Sequence, residues 1–195
     1  MPYGDLALAP VCFTTGVRIK TEDGEVAVED LTVGQLVHTL DHGLQPIRWI
    51  GRRTVKAERD FAPVMIKKAA LDNTRDLRVS PQHRMLITGW QAEVLFGEPQ
   101  VLVPAKDLVN GDTIFVQEGG DVEYFHIMFD NHQIIFGDGA PSESFYPNEM
   151  ALNNVEEAVR SEIFSLFPEL EKAPESYGLA ARPTLQPHES RLLNA

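Results

Sequence analysis

Residues 17–28 read Val17-Arg18-Ile19-Lys20-Thr21-Glu22-Asp23-Gly24-Glu25-Val26-Ala27-Val28. Apolar and polar residues alternate on both sides of an Asp-Gly pair, the pattern of a hairpin that buries one face of each strand. The same pattern recurs through the first two-thirds of the chain. Leu36-Val37-His38-Thr39-Leu40 runs into a turn at Asp41-His42-Gly43, and residues 46–51, 64–66, 77–79 and 85–87 read as further strands. Val101 to Ala105 precedes a turn at Asn110-Gly111-Asp112, and residues 113–116 and 123–129 are rich in β-branched and aromatic side chains. Short strands at this spacing predict a mainly β sandwich, barrel or pseudo-symmetric disk. Past residue 146 the pattern changes. Val155, Val159, Ile163 and Leu166 have helical spacing, Asn153 or Asn154 offers an N-cap, and Pro168 closes the helix. The Pro-, Glu- and Leu-rich remainder to Ala195 is expected to lie as an extended arm on the domain.

With 195 residues, the chain is expected to form one domain with a small appendage, large enough to bury a core without staples. Its net charge of -12 argues against nucleic-acid binding and against a polybasic membrane surface as partner. No run approaches the roughly 18–20 apolar residues of a membrane span. Residues 1–11 lack the basic start and apolar run of a signal peptide, so a soluble chain is expected. Its compartment stays open, a place within a larger exported bacterial protein included. A single cysteine, Cys12, excludes an internal disulfide, and of the six histidines only His38 and His42 stand four apart, where they flank a turn and not a helix. No metal or other cofactor is expected.

Upstream of the hairpin stands Val11-Cys12-Phe13-Thr14-Thr15-Gly16. Cys12 is open to three readings: an inert small hydrophobe, a chance surface thiol or a reactive group. Its place ahead of the first hairpin puts the Val11–Cys12 peptide bond at the edge of the fold. A thiol there can attack the preceding carbonyl through a five-membered ring, converting the amide into a thioester (an N-to-S acyl shift). That reaction needs a proton donor for the leaving nitrogen and hydrogen-bond donors for the carbonyl oxygen. Ser80-Pro81-Gln82-His83 offers a hydroxyl and an imidazole three residues apart on a tight turn, although an ordinary Ser-Pro turn with an exposed histidine has the same sequence.

Five stretches in this order resemble the Hint domain, the self-processing module of inteins, Hedgehog proteins and bacterial intein-like proteins. They are Cys12 to Ile19; Val28 to Val37, with Gln35 where Asp is common; Ser80 to His83, with Ser for Thr; Val103 to Leu108 with Gly111-Asp112; and His126 to His132. The similarity covers about residues 12–145, and the stretch Ile135 to Phe145 points to the bacterial intein-like variety. It implies a pseudo-two-fold β-fold with close termini, an upstream segment at 1–11, a β-domain at 12–145 and a helix plus Pro-rich tail at 146–195. It also implies that Cys12, Ser80 and His83 meet, with Cys12 as nucleophile on the Val11 carbonyl, His83 as proton donor to the scissile nitrogen and Ser80 as orienting hydroxyl.

Residues 139–145 hold no His-Asn end, and Asn194 follows Leu193, so splicing is not expected. The expected chemistry is one-sided: thioester formation, then release of the chain's own upstream polypeptide to water, a thiol or an amine. The tail shows no pattern of a sterol pocket. On the strand 123–129, His126 shares parity with Tyr124 and Met128; it is read as facing the cleft to tune Cys12 or shuttle a proton, or as a strand histidine bonded to backbone. Asp130 is a candidate acidic partner. His132, in a turn, is read as structural, and His38 and His42 as solvated. The alternative function is a processing-inactive β-module that binds or builds within a larger protein. A thiol hydrolase acting on external substrates is the weaker third.

Overall fold

The computed structural model describes residues 11–148, 152–153 and 155–194. The upstream segment, apart from Val11, and the Asn154 cap expectation lie outside the described residues. The strands in chain order are β1 (Phe13–Thr14), β2 (Arg18–Thr21), β3 (Gly24–Ala27), β4 (Leu36–Thr39), β5 (Gly43–Pro46), β6 (Trp49–Lys56) and β7 (Val64–Ile66). There follow β8 (Leu77–Val79), β9 (Arg84–Thr88), β10 (Gln100–Pro104), β11 (Ile114–Val116), β12 (Asp121–Met128), β13 (Ile134–Gly137) and β14 (Ala140–Glu143). They form two antiparallel sheets, one in the order β11-β7-β8-β1-β12-β6 and one in the order β10-β9-β14-β13-β2-β4-β5, with β3 beside β2. The fold is mainly β with helices at its C-terminal end, as the strand pattern predicts.

The opening hairpin pairs Arg18 with Ala27 and Thr21 with Gly24, and Gly24 takes φ +104° at the turn. Ile19 and Thr21 are buried while Arg18 and Lys20 face solvent, so the period-two pattern sets which face meets the core. That core contains Ile19, Val37, Ile47, Val79, Val103 and Ile127. The two similar Leu-x-x-Gly segments take similar forms. Val28–Asp30 and Ala105–Leu108 are both 3-10 turns, and each is followed by a glycine at positive φ, Gly34 at +90° and Gly111 at +77°.

Three elements differ from the sequence reading. Residues 46–51 are not one strand: Ile47 N–H donates to Gln35 O, and Arg48 N–H donates to Met128 O, so the chain crosses between sheets there. A helix, α1 (Trp90–Phe96), joins β9 to β10 where no element is predicted. Its Trp90 and Val94 are exposed, so it has no amphipathic signature to read. The C-terminal helix, α2 (Glu157–Leu166), starts after Glu156 rather than at Asn153 or Asn154. Glu156 is extended (φ -60°, ψ 148°) and ion-paired to Arg53 at 3.1 Å. Ile163 is buried as expected, but Leu166 is half exposed and Phe167 takes the buried place.

This C-terminal segment packs a second core onto β6 and β12: Trp49, Met128 and Phe145 meet Leu152, Ile163, Phe167, Leu170 and Tyr177. Beyond it the chain runs along the edge of β10, with Leu102 N–H donating to Pro183 O at 2.8 Å and Leu185 N–H to Leu102 O at 2.9 Å. The expected arm is extended only there; short helical turns make up much of the rest. Among the described residues no helix is long and apolar enough to cross a membrane.

Candidate active site

Two residues of β1 position the site. Phe13 pairs with Phe125 of β12 on one side and with Val79 of β8 on the other. Cys12, one residue before β1, is therefore held between the end of β8, where Ser80 stands, and β12, where His126 stands. Parity on β12 does the rest: Val122 and Tyr124 pack with Cys12, and His126 continues the same face.

Ser80 grips the Cys12 peptide from both sides. Its Oγ accepts the Cys12 N–H at 3.0 Å, and its own N–H donates to Cys12 O at 3.0 Å. The His126 Nδ1 lies 2.8 Å from Val11 O. A carbonyl only accepts, so Nδ1 carries the ring proton and Nε2 keeps a lone pair. Both ring nitrogens lie 3.5 Å from Cys12 Sγ. One imidazole thus touches both the Val11 carbonyl oxygen and the Cys12 thiol. His83 closes the turn, its N–H donating to Ser80 O at 3.0 Å. Its ring is fully buried edge-on to Phe13, with centroids 4.5 Å apart. Ala105 N–H donating to His83 O and Lys106 N–H to Pro81 O anchor the turn from β10 and its 3-10 extension.

Burial keeps the thiol and both imidazoles uncharged at neutral pH. Burial pushes the Cys12 thiol well above its ordinary range, against the weaker pull of the Ser80 hydrogen bond and the Arg53 charge. Burial takes His126 down to about 4, opposed by its bond to Val11 O. Burial, then the charges of Arg84 and His126, take His83 down to about 3, with the Cys12 backbone opposing.

Cys12, Ser80, His83 and His126 come together, and Asp130 does not join them. Asp130 pairs with Arg48 at 3.0 Å, with both side chains more than half exposed. Among the described residues no group of three or more His, Cys, Asp or Glu is arranged to hold a metal ion.

Three residues that sequence reasoning did not select complete the His126 pocket. The Trp49 ring stacks on His126 at 6.0 Å, and Phe145 meets it edge-on at 5.3 Å. Gly51 is the register partner of His126, and a Cβ there would lie 2.2 Å from the Trp49 ring. A glycine inside a strand is the available signal, because it marks close approach of another group.

The sequence pattern of the Hint domain matches residues 11–149. The chain belongs to the Hint domain family. Among solved structures, this Hint domain is similar to the bacterial intein-like domain from Clostridium thermocellum, with 13% identity, 70% of this chain and 99% of that one covered, and a TM-score of 0.50. It is also similar to a DnaB intein from Synechocystis sp., with 13% identity, 68% and 97% covered, and a TM-score of 0.44. At such identities the likeness concerns the fold. No curated protein matches the chain significantly. Membership in the Hint family supports a self-processing module in general.

Proposed function

We propose that this Hint domain cleaves its own chain before Cys12 through a thioester and does not splice. One observation carries the reading: His126 bonds the Val11 carbonyl oxygen through Nδ1 and lies 3.5 Å from Cys12 Sγ. Cys12 Sγ attacks the Val11 carbonyl carbon, and the thiol proton passes to His126 Nε2. The ring is then an imidazolium whose Nδ1–H holds the developing oxyanion. The raised thiol pKa suits this order of events, since no thiolate exists until the proton has an acceptor. Ser80 Oγ, by accepting the Cys12 N–H, holds the scissile nitrogen in register. The C–N bond then breaks as the His126 imidazolium gives up the proton it took from the thiol. That proton reaches the Cys12 nitrogen through His83, whose burial makes any imidazolium there a strong acid, and both rings end neutral. The product is a Val11 thioester on Cys12 Sγ with a free Cys12 amine. Water, a thiol or an amine then releases the upstream polypeptide.

No His-Asn pair occurs in residues 139–145 to cut a second junction, which supports one-sided cleavage. A processing-inactive module is the second reading, favoured by the 1% exposure of Cys12. The test is a folded reporter fused ahead of residue 1, followed by mass with and without a thiol. Cleavage before Cys12 that vanishes in Cys12→Ala and drops sharply in His83→Ala supports processing. A fusion that stays intact after long incubation with thiol supports the inactive module.

A further inference from the structure

A small cavity of about 50 Å³ lies against His126, lined also by Gly51, Arg52, Arg53, Val155, Glu156 and Val159. We propose that this cavity is the acyl-acceptor subsite, and that it admits water or an uncharged nucleophile of a few heavy atoms. The inference rests on the thioester reading above and names the acceptor class for it.

Three observations carry it. His126 is both a wall of the cavity and the ring in contact with Cys12 Sγ and Val11 O, so a molecule inside meets the one group placed to take its proton. The volume matches about two waters, far below a lipid-sized acceptor. Of its charged residues, Arg53 is paired: its Nε lies 3.1 Å from Glu156 Oε1. Arg52 also lines the cavity, but as the register partner of Phe125 it alternates with Gly51 and Arg53 along β6, so its side chain leaves on the other face of the strand. The C-terminal segment, through Val155, Glu156 and Val159, thus limits the size of the subsite and supplies the carboxylate that pairs Arg53. In the transfer step an acceptor R–SH forms an S–C bond to the Val11 carbonyl carbon and the bond from that carbon to Cys12 Sγ breaks. The acceptor proton passes through His126 to the departing sulfur.

The test follows release of a folded reporter from the full chain with three thiols: 2-mercaptoethanol, 2-mercaptoethanesulfonate and cysteamine. Hydroxylamine serves as a thioester control. Rates are expressed per thiolate at low ionic strength. Glu156→Gln leaves Arg53 unopposed and raises the sulfonate-to-cysteamine rate ratio about three- to tenfold; Arg53→Gln lowers it by a similar factor. A ratio within one variant cancels any effect on thioester formation, so a purely structural change moves neither. Val159→Ala raises the rate with benzyl mercaptan relative to 2-mercaptoethanol. If hydroxylamine releases the reporter but both charge variants leave the ratio unmoved, the subsite is overturned and the thioester reading stands. If hydroxylamine releases nothing, both fall.

Discussion

His126 and His132 stand on and just after the same strand, and both are buried, yet they sit in opposite surroundings. The His126 ring lies between Trp49 and Phe145, with no carboxylate partner, and its polar contacts are the Val11 carbonyl and the Cys12 sulfur. His132 Nε2 lies 3.2 Å from Glu143 Oε2, which also takes Arg84 Nη1 at 3.0 Å. Its Nδ1 accepts the Ala181 N–H at 3.0 Å, and Tyr146 stacks on the ring at 4.7 Å. The polar contacts of the second cluster hold β9, β14 and the tail together. The first leaves a ring in contact with a bond and a thiol. Burial alone therefore does not mark chemistry; what the ring nitrogens are left to face does.

Four measurements break or sharpen this contrast. His126→Phe keeps a ring between Trp49 and Phe145 but removes both nitrogens, and it is expected to slow cleavage by about 10²–10⁴-fold with little change in melting temperature. A variant that cleaves normally would erase the distinction. His132→Phe is expected to do the reverse. It leaves Glu143 buried with Arg84 but one partner fewer and destabilises the fold by about 1–3 kcal/mol in urea titration, while the folded fraction cleaves at the parent rate.

The pH dependence of stability reads the first cluster. The folded values of about 4 for His126 and about 3 for His83 lie below the ordinary 6.5, so between these limits the unfolded chain binds more protons. Their contribution is complete above pH 6.5 and is lost as pH falls toward 4 and then 3, on the order of 3 kcal/mol for His126. His126→Phe should flatten the fall in urea midpoint between pH 7 and pH 4. The smallest effect belongs to Asp130→Asn: its exposed pair with Arg48 predicts less than about 1 kcal/mol of stability lost and a cleavage rate within about twofold of the parent. A loss of tenfold or more would put Asp130 back beside the chemistry.

Much of the strand plan was legible because alternation and Asp-Gly turns are local signals. The β2–β3 hairpin, β4, β7 and β8 follow from residues within a few positions of one another. The helix α1 was not legible, because Trp90 and Val94 face solvent and leave no apolar stripe. In the site, the Val11–Cys12 junction and the Ser80–His83 turn were visible as motifs, while the parity of β12 put His126 on the face of Tyr124 and left open whether it serves the cleft or the strand. Trp49, Gly51 and Phe145 were not selected, since their part depends on register across β6 and β12 and on where the chain turns after β14. Glu143 was not visible either, because its partners Arg84 and His132 are remote in sequence.

The sequence by itself determined a mainly β chain with one thiol, placed one residue before a strand, and a hydroxyl and imidazole on a turn. Those features rest on short-range pattern and on the chemistry of single residue types. Only the tertiary structure decided what each histidine faces. Pairing β1 between β8 and β12 brings Ser80 and His126 onto one peptide bond, and burial there strips both imidazoles and the thiol of charge. Register and desolvation are properties of the assembled sheets, and no stretch of the chain carries them alone.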